Sequence, residues 1–327
     1  MESEVKIIKF NPKDWNKYKK SLMELEKQCF EGQPFFMNEK EKKDCMTDKN
    51  AYCYLALDGD KIVSESYGNT LQTLDSETSF NGYWNPQTYS NYNSLTLYIT
   101  STATIPEYRN KGIAKKLKYE MLKDLEKDGY LYVIGHSHEG SMTRMNEFFN
   151  GKIIGEFKNW YGGKDTHYLC EIDLSEVPKL LPITSIKQLK EYDCGIASCC
   201  ILAGCDKCID LDIETPEYEK SFGLTQDYGI SHEDLIDFHR LFFGEKLFSS
   251  YNANKSDIED LINSGRFGIV NYQDDGEGHY SVIYGYDENF VYLLNVYTGK
   301  EEKIKYTEFE KNWYSKMYGF KWLAYKL

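Results

Sequence analysis

Apolar and polar residues alternate from Val5 to Phe10, which predicts a short strand. From Trp15 to Phe30 the apolar spacing becomes helical, with Tyr18, Leu22, Leu25 and Cys29 on one face. A charged stretch, Asn38 to Asp48, predicts a second helix. Ala51 to Leu57 and Lys61 to Tyr67 then flank Asp58-Gly59-Asp60, the pattern of a hairpin. Thr70 to Asn93, rich in Ser, Asn and Tyr, is long for a plain connection and fits a binding loop or a surface excursion. A β-rich run from Leu95 to Ile105 leads through Pro106-Glu107-Tyr108 into a helix. Its apolar positions are Ile113, Leu117, Met121, Leu122 and Leu125, and Gly129 ends it.

Period is lost between Leu174 and Ile183, where Pro178 and Pro182 mark a domain boundary. Residues 1–174 and 183–327 are expected to fold as two domains joined by 175–182. In the second, Gly195 to Ala203 is an apolar run of small residues, and Glu233 to Phe243 is an amphipathic helix. His279 to Tyr284 and Phe290 to Asn295 read as two strands turning around Gly285 to Asn289. Tyr306 to Tyr314 and Phe320 to Leu327 read as a closing helix and strand, with Trp313 and Trp322 in the core.

Composition narrows the function. Apolar residues make up 41% and charged residues 28% of the 327, the balance of a globular protein. Net charge is −13, divided as −3 over residues 1–175 and −10 over 176–327. No basic stripe suits a phosphate backbone, so nucleic acid is not an expected partner, whereas a cationic peptide suits the second half. The first residues lack an apolar signal core and no run reaches membrane-spanning length, so the expected address is the cytoplasm. Nine Cys without disulfide-framework spacing fit reduced thiols there.

The chemistry-bearing stretch is Gln188 to Ala197. Asp193 suits an N-cap, which puts Cys194 in the first helical turn, where the helix dipole lowers a thiol pKa and favours the nucleophilic thiolate. The Gln188 carboxamide, six residues upstream, could return to bond an oxyanion together with the Cys194 N–H. At its plainest, the same run is an ordinary polar residue and a buried helix Cys. A base must come from His232, His239 or His279. His232 and His239 belong to the amphipathic helix and read as capping or surface residues. Folding the hairpin about Asp287 sets His279 opposite Asn295, whose carboxamide could hold one ring nitrogen and aim the other at Cys194. The alternative is a Tyr-rich core hairpin with a polar residue at each mouth. Cys199 and Cys200 read as small hydrophobes inside the helix. Cys205-x-x-Cys208 admits a zinc or redox reading, but no metal is assigned.

A second constellation is Arg109-Asn110-Lys111-Gly112-Ile113-Ala114, between an apolar strand and a helix start. Such a loop exposes unpaired N–H groups that can hold a pyrophosphate.

With this Arg-x-x-Gly-x-Ala loop after a fourth strand, residues 1–174 resemble the GCN5-related N-acetyltransferases. The order continues to match through a fifth strand (Tyr130 to Gly135), a helix (Ser141 to Asn150) and strands at Lys152 to Phe157 and His167 to Leu174. The resemblance implies a mixed sheet with flanking helices and acetyl-CoA, or another acyl-CoA, as cofactor. It implies that Arg109, Asn110, Lys111, Gly112, Ile113 and Ala114 bind the pyrophosphate. The backbone of Ala103, Thr104 and Ile105 would align pantetheine and acyl group. Where the family often carries a Tyr that protonates the leaving thiolate, this chain has Asn146-Glu147-Phe148-Phe149, so the general acid is unassigned. His136 and His138, at the end of the fifth strand, are candidates to deprotonate an amine or are surface residues.

Residues 183–327 resemble papain-like cysteine peptidases, most closely the bacteriocin-processing family that cuts double-glycine leaders. The resemblance rests on Gln188, Asp193-Cys194-Gly195, Gly278-His279-Tyr280-Ser281-Val282 and Asn295, where the family usually has Asp followed by Pro. It implies a Cys-bearing helix packed on an antiparallel sheet, in a chain of α/β and α+β domains. The expectation is a bifunctional enzyme: a cysteine peptidase acting on a peptide or protein, with Cys194, His279, Asn295 and Gln188 as its site, and an N-acetyltransferase that modifies an amine of the same substrate. Alternatives are transfer of the Cys194 acyl group to an amine, or one half serving only to bind.

Overall fold

Alternation places Lys6–Lys9 (β1) antiparallel to Tyr52–Asp58 (β2), with Ile7 opposite Ala56. A computed structural model describes residues 5–71, 93–159, 165–209, 229–274, 277–313 and 320–326; the expected excursion from Thr70 to Asn93 lies mostly outside them. The chain divides into two units, Met1–Val177 and Pro178–Leu327.

In the first unit β2 turns through Gly59 into Lys61–Thr70 (β3), and Thr96–Thr104 (β4), Tyr132–His138 (β5), Lys152–Phe157 (β6) and His167–Asp173 (β7) complete a mixed sheet ordered β1-β2-β3-β4-β5-β7-β6. The helix Trp15–Phe30 (α1) buries Tyr18, Leu22 and Leu25 of the predicted stripe together with Trp15, while Cys29 is only half-buried. Each such side chain contributes roughly 1.5–3 kcal/mol. Glu39–Thr47 (α2) starts in a capping box between Asn38 and Glu41. Lys42, on α2, is fully buried, with Nζ 2.6 Å from both Glu26 of α1 and Glu65 of β3. Ile113–Lys127 (α3) covers the sheet with Ile113, Leu117, Met121, Leu122 and Leu125, and Ser141–Phe148 (α4) follows β5.

Two features shape the middle of this sheet. β4 pairs with β3 along its length, but with β5 only over Thr96–Tyr98, so the two parallel strands part beyond Tyr98. Tyr67 faces Ser101 while Gly68 faces Ile99, so Thr100 is an extra residue in β4, a bulge that bends the strand where it leaves β5.

The boundary stretch is structured on both sides: a 3-10 turn, Leu174–Glu176, closes the first unit, and Lys179–Leu180 (β8) pairs with the second unit's sheet. That sheet runs in the order Lys300–Lys305 (β13), Phe290–Asn295 (β12), Glu277–Tyr286 (β11), Gly268–Asp274 (β10), Leu323–Lys326 (β14) and Leu247–Ser250 (β9). On one face lie Lys255–Asn263 (α7) and Tyr306–Asn312 (α8), whose Ile258, Leu261 and Phe309 join Trp313, Val270, Tyr272, Ile283 and Leu293 in a buried cluster. On the other lie Cys194–Leu202 (α5), buried on every side, and His232–Phe243 (α6).

Candidate active sites

Cys194 is the first residue of α5, as its place before the apolar run predicts. The side chain of Asp193 makes no cap bond, because its backbone (φ −89°, ψ 9°) is not extended as a capping residue's is. α5 is seated against β11: a methyl group added at Gly195 would lie 3.3 Å from the Tyr280 ring and 2.5 Å from Ile230. This docking brings the Cys194 sulfur to backbone N–H groups of Tyr280, Gly195 and Cys194 itself. The Tyr280 N–H belongs to the peptide bond that joins it to His279.

The expected low thiol pKa is corrected by the structure. Burial pushes the Cys194 thiol up and outweighs the pull of those N–H groups, while the neighbouring Asp193 carboxylate adds to the rise. A helix N-terminus stabilises a thiolate only as far as the sulfur keeps a polar environment, and Cys194 is just 9% exposed.

The hairpin register is corrected too. β11 and β12 pair Val282 with Leu294 and Ile283 with Leu293, so continuing the ladder sets Asn295 opposite Ser281, two residues from His279 on the same face. Two local features cause the shift. The turn closes from Asp287 to Phe290, with Asp287 Oδ1 accepting from the N–H groups of Asn289 and Phe290, and a bulge lies between Ile283 and Gly285. Gly285 suits that bulge because β8 runs against it: a Cβ there would lie 2.5 Å from Leu180 Cδ2 and 2.7 Å from the Lys179 carbonyl oxygen.

Asn295 consequently bonds elsewhere. Its Oδ1 accepts from the N–H of Tyr297 at 3.0 Å, and its Nδ2 donates to Glu302 Oε1 at 2.8 Å. His279, half-buried opposite Tyr272, meets the Tyr297 ring edge to face at 6.4 Å. Asn295 thus fixes the backbone of the residue whose ring stands on the imidazole. Gln188 lies beside this turn, its N–H donating to the Val296 carbonyl at 2.8 Å. Its Nε2 donates to the carbonyls of Lys190 and Glu191 at 2.7 and 3.0 Å, which fixes the turn leading to Cys194, while its buried Oε1 has no hydrogen-bond partner.

The other two histidines are not on the surface. His232 is fully buried, stacked flat on Trp322, and burial holds its pKa down at about 4. Ser231 is the N-cap in its place. His239 is also buried, its Nδ1 3.0 Å from the Glu245 carbonyl oxygen. Among the described residues no group of three or more His, Cys, Asp and Glu side chains is arranged to hold a metal.

In the first unit Gly112 (φ +73°) caps α3 without a side-chain bond, and Asn110 (φ +63°) is also left-handed. A tight turn therefore delivers the chain into a helix whose first N–H groups, Ile113 and Ala114 among them, lack intrahelical partners. Nothing lies within 4 Å of where a Gly112 Cβ would be, so the requirement for glycine is conformational. Arg109 is exposed, its Nε donating to the Thr104 carbonyl at 3.0 Å. Lys111 is exposed beside the Tyr108 ring. Ala103 and Thr104 pair with Glu65 and Ser64 of β3, and Ile105 N–H bonds the Val63 carbonyl, which leaves the opposite edge of β4 facing the parting from β5. An extended chain with amide groups and an anionic end fits this arrangement of strand edge, turn and helix start.

At the end of β5, His136 accepts or donates at Nδ1 to the Tyr98 hydroxyl at 3.0 Å, and burial holds its pKa at about 3, so the ring stays neutral. His138 is exposed and packs at a tilt against His167, with ring centroids 3.9 Å apart. Sequence reasoning overlooked Lys118. It is buried on α3 with its Nζ donating to Asn146 Oδ1. The signal was available, because Lys118 falls three and four residues before Met121 and Leu122, on the apolar stripe.

No curated protein sequence matches the chain. About half of it is similar in structure to the ribosomal-protein-S18-alanine N-acetyltransferase of Escherichia coli, at 12% identity and TM-score 0.40 over 52% of this chain and 94% of that one. It is similarly related to NAA60 of Arabidopsis thaliana, solved with acetyl-CoA, at 16% identity and TM-score 0.40 over 52% and 98%. Family models match two separate segments, each a family of enzymes: residues 19–149 match the acetyltransferase (GNAT) family and residues 183–320 the Peptidase C39 family, so the chain is a fusion of a GNAT domain with a C39 cysteine peptidase domain.

Proposed function

We propose that the second unit is a papain-like peptidase in which Cys194 attacks a peptide carbonyl of a peptide or protein substrate. The observation that carries this reading is the Cys194 sulfur lying against the N–H of the His279–Tyr280 peptide, which seats a nucleophile at the first turn of a helix beside an imidazole-bearing strand end. The thiol is neutral by burial, so it becomes nucleophilic by giving its proton to His279. His279 then passes that proton to the leaving amine, and water releases the acyl group from the sulfur. Asn295 positions the imidazole through the Tyr297 turn. The Cys194 N–H bonds the oxyanion, joined by Gln188 when its carboxamide exchanges one carbonyl partner for the developing charge.

The first unit, on this reading, is an N-acetyltransferase. Arg109, Asn110, Lys111, Gly112, Ile113 and Ala114 would hold the pyrophosphate of acetyl-CoA, and the open edge of β4 at Ala103, Thr104 and Ile105 would align its pantetheine. The cofactor supplies the activated acyl group. Covalent fusion supports an order of events in which cleavage exposes an α-amine that the first unit acetylates. The acidic second half favours a cationic substrate. The test is mass spectrometry of a peptide library incubated with acetyl-CoA and either wild type or Cys194→Ala. New termini carrying acetyl groups, present only with wild type, support the reading; identical spectra refute it.

A further inference from the structure

A small cavity of about 20 Å³ lies inside the first unit, where β4 and β5 part. Ile99 of β4 and Val133 to Ser137 of β5 form its strand walls, and Asn146 of α4 and Cys170 of β7 close it. Lys118 of α3 supplies the one ammonium group among its lining residues. The Lys118 Nζ donates to Asn146 Oδ1 of α4, a neutral acceptor, and among the described residues no carboxylate forms an ion pair with it. A buried ammonium held by one carboxamide carries a desolvation cost that its single hydrogen bond does not offset. Its position is also specific: Asn146 opens the Asn146-Glu147-Phe148-Phe149 stretch, which offers no hydroxyl.

We propose that the Lys118 ammonium is the proton donor to the sulfur leaving group of acyl-CoA in the first unit. The inference rests on the acetyltransferase reading. When an acceptor amine attacks the thioester carbonyl carbon, a C–N bond forms and the C–S bond breaks, with its electron pair going to sulfur. Lys118 gives that thiolate a proton, and the proton lost by the acceptor nitrogen returns to Lys118 through solvent. Asn146 is a positioning residue that holds the ammonium toward the parting of the strands. Burial lowers the Lys118 pKa to about 8, so the amine is charged at neutral pH yet gives up its proton readily. The titratable groups facing it are Cys170 and His136, and His136 stays neutral.

The test needs no acceptor. Coenzyme A, the free thiol product, is bound to the full chain and its thiolate absorbance titrated in the ultraviolet, with affinity measured by calorimetry. An ammonium within reach of the sulfur lowers the bound thiol pKa by about one to three units. That lowering should disappear in Lys118→Met, return in Lys118→Arg, and shrink in Asn146→Asp, which adds a carboxylate to the ammonium without emptying the core. Equal coenzyme A affinity with the same thiol titration in wild type and Lys118→Met would overturn the proposal while leaving the acetyltransferase reading intact. No coenzyme A affinity in wild type would overturn both.

Discussion

The imidazole of His232 lies flat on the indole of Trp322, with centroids 4.2 Å apart and planes within 3°. Burial keeps this ring neutral in the fold, with a pKa of about 4 against an ordinary value near 6.5. The unfolded chain therefore binds the extra proton first. Stability from the neutral stack is complete above pH 6.5 and is lost as pH falls toward 4, by about 3 kcal/mol for a shift of this size. Denaturant melts of wild type and His232→Phe across this range should converge at high pH and diverge below 6.5, with wild type losing more. Parallel curves would count against a buried neutral His232.

The carboxamide of Asn295 donates to Glu302 at 2.8 Å and accepts from the Tyr297 N–H. An Asp at this position, usual in the family the segment resembles, would set two carboxylates face to face. Asn295→Asp should cost about 1–3 kcal/mol of stability, and adding Glu302→Gln should recover most of it. A thermal-denaturation double-mutant cycle checks this, and additive losses would show that the two side chains are not coupled.

Lys42 lies between Glu26 and Glu65, each 2.6 Å away and all three buried. Lys42→Met leaves two carboxylates without their cation and should cost about 3–5 kcal/mol. The triple replacement Lys42→Met, Glu26→Gln, Glu65→Gln should cost less than the single one. Calorimetric melting of the three proteins decides it; a triple variant weaker than the single would mean the ion group itself stabilises the sheet.

Gly112 holds φ +73° at the start of α3 with open space around it. Gly112→Ala should cost about 1–2 kcal/mol of backbone strain, and Arg109→Ala should weaken acetyl-CoA about tenfold through loss of one charge-assisted contact. Thermal denaturation measures the first and calorimetric titration with acetyl-CoA the second. Unchanged affinity in Arg109→Ala would remove this side chain from the binding site.

Much of the fold was legible in the sequence because local rules and tertiary packing agree. The α1 and α3 stripes, the Asp58–Asp60 hairpin and the start of α5 at Cys194 each follow from periodicity and turn chemistry. What was not legible depends on contacts between distant residues. The placement of Asn295 depended on a bulge that Leu180, about a hundred residues upstream, helps to form. The polarity of the Cys194 thiol depended on how deeply α5 is packed, and the burial of His232 on an aromatic partner ninety residues away. Helical spacing says which face a residue occupies, but not how much protein covers it.

The most direct test of the central claim, a Cys194 nucleophile served by His279, is the pH profile of Cys194 alkylation followed by mass spectrometry. Burial alone would hold this thiol unreactive at neutral pH, so reactivity there requires His279 to take its proton. The account predicts rapid alkylation of wild type near pH 7 and a shift of the whole profile to alkaline pH in His279→Ala, with peptide cleavage lost in parallel. Identical profiles in the two proteins would contradict it.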